Sequence, residues 1–294
     1  MKRGAPERPP TLCGRAVRVD RPLVMAIINR TPDSFYDRGA TFTDPAAMRR
    51  VDEVVADGAD ILDVGGVKAG PGELVDAEEE IRRVVPFVEA VRARHPGVLI
   101  SVDTWRGQVA RRALEAGAGL VNDTWAGHDP GVLDAAGAAG AGFVCSHTGG
   151  AVPRTRPFRV GYHDVVEDVV TELTTAAERA RVAGVPEDGI LIDPTHDFGK
   201  NTFHGLELLR RLDEIVAIGP PVLMALSNKD FIGETLDAGV DDRWEGTLAA
   251  TSVAAYLGAR VFRTHDVRGT VRALEMVSSI MGTRSPARTV RGLA

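Results

Sequence analysis

Side chains able to bind or react follow most of the short apolar runs in this sequence. In chain order they are Asn29, Asp63, Asp103, Asn122 with Asp123, His147, Asp193, Ser227 with Lys229, and Arg263 with His265. One such residue alone could equally be a helix N-cap or a side chain that closes a loop. A whole succession of them predicts a binding site, provided that the runs are strands whose ends meet.

The residue types indicate a flat, polar ligand. Asp103, Asn122 and Asp193 offer oxygen acceptors and one amide, which suit a donor-rich heterocycle. Lys229 and Arg263 suit carbonyl oxygens, phosphate or the face of an aromatic ring.

Three further side chains, Asn29, Asp63 and His265, indicate that the ligand has a second part. Amide and carboxylate oxygens, together with an imidazole, can hold a metal-bound or anionic leaving group. Residue types alone do not name the ligand.

The composition excludes several classes of protein. The 294 residues carry a net charge of −6, and no segment is strongly basic, which argues against a nucleic-acid partner. Cys13 and Cys145 cannot form a disulfide framework and suit a reducing compartment. No apolar stretch approaches the ~20 residues of a spanning helix, and the start, "MKRGAPERPPTLCGR", does not resemble a signal peptide. We expect a cytoplasmic protein without a membrane partner.

Eight strand–helix units account for most of the chain. The apolar runs lie at 23–28, 61–64, 98–102, 119–121, 142–145, 190–192, 221–226 and 260–262. Short continuous runs of this kind are typical of strands buried on both faces of a parallel sheet. Amphipathic segments with three- and four-residue spacing separate them. We predict an α/β fold, a single-domain TIM (β/α)8 barrel over 19–285, with a flexible N-terminal tail over 1–18 and a C-terminal tail over 286–294.

A doubly wound sheet is the alternative fold. It would usually carry a glycine-rich phosphate loop after the first strand, and "NRTPDSF" is not one. The Pro- and Arg-rich stretch "GGAVPRTRPFRVGYHD" is interpreted as a long loop of the barrel rather than a domain boundary. In a barrel, site residues follow the carboxyl ends of the strands, so the polar set should meet at one mouth.

The successive strand-end motifs resemble those of dihydropteroate synthases. They read "MAIINRTPDSFYDRGATF", "GADILDVGG", "ISVDT", "LVNDTWAG", "SHTGG", "ILIDPTHDFGKN", "VLMALSNKDFIGE" and "VFRTHDV", and the resemblance covers residues 23 to about 282. It implies a TIM barrel, usually dimeric, that joins 6-hydroxymethyl-7,8-dihydropterin pyrophosphate to p-aminobenzoate. Pyrophosphate is released with the assistance of Mg²⁺.

The resemblance also implies roles for individual residues. The pterin ring would be bound by Asp103, Asn122, Asp193, Lys229 and Arg263. Of these, Asp103, Lys229 and Arg263 are expected to be catalytic. Arg263 would also meet phosphate, together with Asn29 and His265, and Asn29 would contact the metal. Asp63 matches a carboxylate of the same pocket.

One loop departs from the family. The stretch "DVGGVKAGPG" (63–72) stands where the family has DxGGESTRPG, so Val67, Lys68, Ala69 and Gly70 replace Glu, Ser, Thr and Arg. In the family, the Thr and Arg help to form the p-aminobenzoate site. Lys68 either replaces the Arg as a phosphate contact from the next position or is simply solvated.

Other substitutions lie near the same site. Asn228 replaces an Arg near the p-aminobenzoate carboxylate, and Ser146 replaces a Met that precedes His147. In "DPTHDFGK", the residues at 195–197 are Thr, His and Asp where the family has glycines and an aliphatic residue. Because glycine permits backbone conformations that Thr and Asp disfavour, we expect this loop to be reshaped. A metal site at these residues is a weaker hypothesis, since no three ligands with defined geometry are evident.

The departures affect one substrate only. The pterin residues are intact and the p-aminobenzoate residues are altered, as in the second, divergent dihydropteroate synthase paralogue of actinobacteria, which lacks normal synthase activity. We therefore predict a pterin-binding protein with weak or absent activity. The alternatives are a fully active synthase, a non-catalytic binding or regulatory barrel occluded by His196 and Asp197, and, more remotely, a corrinoid-methyltransferase type of barrel.

The last two helical segments are rich in Ala, Val and Met. They read "RWEGTLAATSVAAYLGA" and "VRALEMVSSIMG". In the family the C-terminal helices form the dimer, so a homodimer is expected; simple packing of these segments onto the barrel is the alternative.

Overall fold

The computed structural model describes residues 10–30, 44–155 and 161–291. Eight parallel strands form the central sheet: β3 (Leu23–Asn29), β4 (Ile61–Gly65), β5 (Leu99–Asp103), β6 (Leu120–Asn122), β7 (Gly142–Ser146), β8 (Ile190–Asp193), β9 (Leu223–Met224) and β10 (Val261–Thr264). A short antiparallel hairpin, β1 (Thr11–Leu12) and β2 (Arg15–Ala16), precedes them.

Helices surround this sheet. They are α1 (Asp44–Ala56), α2 (Ala77–Arg94), α3 (Gly107–Glu115), α4 (Gly131–Ala139), α5 (Val165–Val182), α6 (Thr202–Arg210), α7 (Leu212–Val216), α8 (Asp230–Leu236), α9 (Trp244–Tyr256) and α10 (Val267–Ile280). Over the described ranges, every helix is too short or too polar to cross a membrane.

The sheet closes on itself. The strand order is β8-β7-β6-β5-β4-β3-β10-β9, each neighbour is parallel, and a single parallel bridge between Ile192 and Val222 joins the two outer strands. The predicted single-domain TIM barrel is therefore confirmed. Because every strand runs in the same direction, all eight carboxyl ends open at the same mouth.

The alternation of side chains along each strand makes two apolar layers. In β5, Ile100 and Val102 face outward and join the large core under the helices. Leu99 of the same strand faces inward and joins a smaller cluster that fills the end of the barrel opposite the mouth. Since both faces are buried, the strands contain few polar residues until the chain reaches the mouth.

Local sequence signals set where the helices begin. Asp76 starts α2 by accepting the amide of Glu79 at 2.8 Å, and Asp164 starts α5 by accepting the amides of Val166 and Glu167. Such N-caps satisfy amides that have no partner within the helix. Between α4 and α5 the approach is very close: a Cβ at Gly137 would lie 2.0 Å from the Ala183 oxygen, so only glycine fits.

The N-terminal hairpin packs against the barrel. Leu12 is buried and packs with the inner apolar cluster, while Cys13 and Gly14 donate backbone N–H bonds to Asp188. Within the tail expected over 1–18, residues 10–18 thus include a hairpin in which one apolar side chain covers the end of the barrel opposite the mouth. Residues 1–9 lie outside the described part. At the other end, residues 286–291 contain no helix or strand.

Candidate functional site

Three of the predicted residues, Asn29, Asp103 and Asn122, lie in one register at the barrel mouth. Asn29 pairs in register with Gly65, Gly65 with Asp103, and Asp103 with Asn122. On the opposite side, Ser146 pairs with Asp193. The parallel register therefore brings together side chains that are far apart in the sequence.

Arg263 joins two carboxylates in the centre of this mouth. Its Nε donates to Asp63 Oδ2 at 2.6 Å, and its Nη2 donates to Asp103 Oδ2 at 2.7 Å. Asn122 Nδ2 also donates to Asp63 Oδ2, at 3.1 Å, and Thr124 donates to Asp103 Oδ1 at 3.0 Å. The four sequence-predicted residues, together with Thr124, form one continuous hydrogen-bonded group.

Burial changes the acidity of this group. It raises the pKa of Asp103 to about 7, against the lowering effect of Arg263 and with a further raising effect from Asp63. Burial by itself would lower the pKa of Arg263. The negative charges of Asp63 and Asp103 outweigh this effect and raise the pKa of Arg263 above its ordinary value. Asp103 can therefore exchange a proton near neutral pH, whereas Arg263 stays charged.

Asp193 and Lys229 form the other side of the mouth. Asp193 Oδ1 accepts the amide of Thr195 at 2.7 Å, and burial raises the pKa of Asp193 to about 6 even though Lys229 lowers it. Lys229 Nζ lies 4.7 Å from the centre of the Phe198 ring, a cation–π contact. A flat ligand would thus find a carboxylate and an ammonium on this side.

The residues expected to meet phosphate lie on adjoining strands. Asn29 ends β3, His265 follows β10, and β3 and β10 pair directly. Ser227 Oγ contacts His265 Nδ1 at 2.9 Å and accepts the His265 amide at 3.3 Å. The imidazole is therefore held by the loop after β9.

Two members of the strand-end set have structural roles instead. Asp123 accepts the amides of Trp125 and Gly127, at 3.1 and 2.7 Å, and so closes its own loop. His147 Nε2 contacts Asp168 of α5 at 2.7 Å, and burial lowers the pKa of His147 to about 4. Neither side chain joins the Arg263 group.

The altered loop lies across the mouth. We call residues 66–75 the glycine loop. Its Val67 is buried against Trp105 and Trp125, which follow β5 and β6, and Lys68, Ala69 and Gly70 are half-buried. Both tryptophans were missed as site residues, although each lies within three positions of a predicted ring contact, Asp103 or Asn122.

Three arginines hold the backbone of the glycine loop. Arg83 donates to the Gly66 oxygen at 3.2 Å, and Arg106 donates to the Val75 oxygen at 2.6 Å. Arg154, from the loop after β7, donates to the oxygens of Gly70 and Glu73. The loop is thus fastened at its start, middle and end.

The loop after β8 contains two non-glycine residues in the left-handed backbone region that favours glycine. Thr195 has φ 52° and Asp197 has φ 69°, both left-handed. Side-chain hydrogen bonds compensate: Thr195 Oγ1 donates to the Asp193 oxygen at 2.9 Å, and Asp197 accepts the Asp230 amide at 2.6 Å. The loop therefore carries local backbone strain.

The hypothesis that His196 and Asp197 occlude the pocket is not supported. His196 is fully buried against Phe231 of α8, with ring centres 5.3 Å apart, and Asp197 caps the start of the same helix. Within the described residues, no three His, Cys, Asp or Glu side chains could together hold a metal ion.

Asn228 and Lys200 have positions that the sequence did not reveal. Asn228 is left-handed, with φ 57°, and its amide donates to Thr247 of α9 at 3.2 Å. Lys200 is buried and donates to three backbone oxygens, of His147, Thr195 and Phe198, and burial lowers its pKa to about 7. Lys200 therefore ties the loops after β7 and β8 together.

Comparison with known proteins agrees with this geometry. The family described as "Pterin binding enzyme" matches residues 25–265. A Mycobacterium leprae protein named "Inactive dihydropteroate synthase 2" is 63% identical over 287 residues, which cover 96% of this chain and 99% of that protein.

More distant relatives carry the name of the synthase itself. The Escherichia coli "Dihydropteroate synthase" is 37% identical over 276 residues, covering 94% of this chain and 97% of that protein. The crystal structure of the Yersinia pestis dihydropteroate synthase with a sulfonamide drug complex superposes with a TM-score of 0.87. It is 34% identical and covers 93% of this chain and 99% of that one. The chain therefore belongs to the pterin binding enzyme family, as a divergent dihydropteroate synthase paralogue of the actinobacterial type.

Proposed function

We propose that this protein binds a dihydropterin pyrophosphate at the barrel mouth and transfers it to p-aminobenzoate weakly or not at all. The observation that carries the proposal is the Arg263 group, in which one guanidinium joins Asp63 and Asp103 beside Asn122. The M. leprae relative, named as inactive, supports the second half.

The ring contacts follow from the donors and acceptors present. Pterin carries adjacent N–H donors and a carbonyl, which match the carboxylates of Asp103 and Asp193 and the amide of Asn122. The oxygens of Asp103 and Asp193 that accept a hydrogen bond within the protein each accept only one, which leaves a second lone pair for a ligand. Arg263 and Lys229 supply positive charge for the carbonyl or the ring face.

The same residues suit the chemistry of the leaving group. When pyrophosphate departs, positive charge develops on the methylene carbon of the pterin, and fixed carboxylates nearby stabilise it. Asp103 and Asp193, with pKa values of about 7 and 6, can hold or release a ring proton near neutral pH. Asn29 and His265, on adjoining strand ends, face the anionic group in this proposal.

We propose that Mg²⁺ binds together with the pyrophosphate. Mg²⁺ commonly binds through few protein oxygens and several phosphate oxygens, so one amide oxygen together with the pyrophosphate suits it. The amide oxygen of Asn29 would be the protein ligand. When bound, the ion would offset charge on the leaving group.

Weak transfer follows from the glycine loop. The residues at 67–70 bring neither a hydroxyl nor a guanidinium to the acceptor side. Losing two hydrogen bonds that involve charged groups, at ~1.5–3 kcal/mol each, would slow transfer by about 10²-fold or more.

The assembly and location are also proposals. Exposed apolar side chains on α9 and α10, Val253, Tyr256, Met276, Ile280 and Met281, suit a homodimer interface. The two cysteines are unpaired, which suits the cytoplasm.

Calorimetry tests the binding proposal. Titration with 6-hydroxymethyl-7,8-dihydropterin pyrophosphate and Mg²⁺ should show binding that Asp193→Asn weakens by about 10-fold or more, since a charged hydrogen bond contributes ~1.5–3 kcal/mol. The Asn side chain can still accept the Thr195 amide, so the loop should stay folded. Lys68→Ala is the control and should bind within about threefold of the unaltered protein, because Lys68 is not among the ring contacts. Equal binding by the Asp193→Asn protein would refute the proposed site.

A further inference from the structure

A closed, mainly aromatic cluster lies between the glycine loop and the loops after β5, β6 and β8. Trp105 and Trp125 are 8% and 2% exposed, and Val67 of the glycine loop, 9% exposed, packs against both. Phe198 lies edge-on to Trp125, with ring centres 4.9 Å apart. These four side chains form the cluster referred to below as the aromatic plug.

The plug adjoins the loops that carry residues proposed to bind the pterin. Trp105 is two residues beyond Asp103, and Trp125 is three residues beyond Asn122. Phe198 connects the plug to the other side of the mouth, because Lys229 Nζ lies 4.7 Å from its ring centre. The plug therefore touches the loops of both halves of the ring site.

The plug is held shut by contacts outside the ring site. Arg106 lies over the Trp105 ring at 4.7 Å, pairs with the buried Glu80 and also holds the Val75 oxygen. Arg154 crosses from the loop after β7 to hold the glycine loop in place above the tryptophans. Arg106 and Arg154 thus hold three backbone carbonyls of the glycine loop in place.

One atom of the plug has no partner. Among the described residues, Trp125 Nε1 is buried and neither donates to nor contacts any acceptor. Indole N–H groups normally find a partner when they are buried.

We infer that Val67, Trp105 and Trp125 are specificity-determining residues that exclude an aromatic amine from the acceptor side of this site. The inference rests on the proposed function, because it takes the ring site as the place where the second reactant would attack. The proposed function attributes weak transfer to the polar groups missing from the glycine loop. The inference gives a second cause, which is that the protein's own side chains fill the acceptor side.

The inference makes a prediction about reopening the site. Trp125→Ala removes an indole and leaves an apolar void large enough for a benzene ring, and such voids bind aromatic molecules. With pterin pyrophosphate and Mg²⁺ present, calorimetry should show at least tenfold tighter p-aminobenzoate binding by Trp125→Ala than by the unaltered protein. Trp125→Phe keeps most of the plug and should behave like the unaltered protein.

Two further variants serve as a control and as a substitute for Trp125→Ala. Leu74→Ala, in the same loop but 98% exposed and outside the plug, should leave p-aminobenzoate binding unchanged. Val67→Ala opens the plug with a smaller change, in case the Trp125→Ala protein does not fold. Its effect should be in the same direction, and acrylamide quenching in a Trp244→Phe background should show Trp105 and Trp125 becoming more accessible.

The outcomes separate this inference from the proposed function. If no variant binds the pterin, the proposed function fails, and p-aminobenzoate is then titrated onto the free proteins with the same expected order. If the pterin binds but neither Trp125→Ala nor Val67→Ala gains p-aminobenzoate binding, the plug is refuted. Tight p-aminobenzoate binding by the unaltered protein, with its tryptophans still inaccessible to acrylamide, would refute it equally.

Discussion

At the scale of single residues, Arg263 links the acidic side chains at the centre of the mouth. Its guanidinium joins Asp63 and Asp103, which are 200 and 160 residues away in the sequence. Asp63 is fully buried, so removing the arginine would leave a carboxylate without its main counter-charge. Breaking a buried ion pair typically costs 3–5 kcal/mol, roughly.

The raised pKa values of Asp103 and Asp193 predict how stability changes with pH. Both folded-state values, about 7 and 6, lie above the ordinary 3.8, so the folded state binds more protons than the unfolded state between those limits. For the ligand-free protein, these two carboxyls should therefore contribute less to the free energy of unfolding as pH rises from 4 to 7. The buried His147, whose pKa is lowered, contributes in the opposite direction over the lower part of this range. One proton corresponds to a slope of at most about 1.4 kcal/mol per pH unit.

Asp103→Asn separates this contribution from that of other groups. Urea unfolding at pH 5, 6, 7 and 8 should show a shallower decline for the variant, with the difference growing up to pH 7 and then staying constant. Asp134→Asn, at an exposed position on α4, should leave the profile unchanged. A steeper decline in the Asp103→Asn protein would contradict the assigned direction.

At the scale of elements, the loop after β8 combines strain with compensation. Thr195 is β-branched and left-handed, a conformation that costs such a residue about 1–2 kcal/mol. Its hydroxyl donates to the Asp193 oxygen and accepts the His147 amide at 3.3 Å. The hydroxyl therefore connects the loops after β7 and β8, although the left-handed backbone at Thr195 is unfavourable.

A pair of substitutions measures the two effects separately. Thr195→Ala removes the hydroxyl but keeps the strained backbone, and should destabilise the protein by about 1–3 kcal/mol. Thr195→Gly removes the hydroxyl and relieves the strain, so it should be more stable than Thr195→Ala by about 1 kcal/mol. Thermal and urea unfolding of both proteins provide the comparison. An alanine variant as stable as the glycine variant would show that this position is not strained.

At the scale of the whole molecule, the surface of α9 and α10 is unusual for a helix pair on a barrel. Tyr256 and Met276 are 62% and 61% exposed, and Ile280 is 66% exposed. Polar side chains normally cover the outward faces of such helices. The exposed apolar area is therefore the surface on which the proposed dimer would form.

Sedimentation velocity tests that assembly. The unaltered protein should sediment at twice the 31.3-kDa mass of the chain. The double variant Tyr256→Arg, Ile280→Asp should sediment as a monomer, because it buries two charges in the interface. Val182→Asp alters an even more exposed apolar residue, on α5, and should stay dimeric. A monomer for the unaltered protein at micromolar concentration would rule out the interface.

The sequence by itself determined the barrel and which polar side chains follow its strands. Eight apolar runs separated by amphipathic segments admit few folds, since each run must be buried on both faces. Once the strands are parallel, Asp103, Asn122 and Asp193 must meet at one mouth, whatever their long-range contacts are. These are consequences of local periodicity and strand direction, which a single sequence contains.

Only the tertiary structure decided which strand-end side chains work together. His147 turned toward Asp168 of α5, and Leu12 of the supposed tail covered the far end of the barrel. Val67 found its partners in Trp105 and Trp125, which are separated from it by tens of residues. Such contacts depend on how loops pack across the mouth, and packing between distant segments leaves no periodic signal in the sequence of either one.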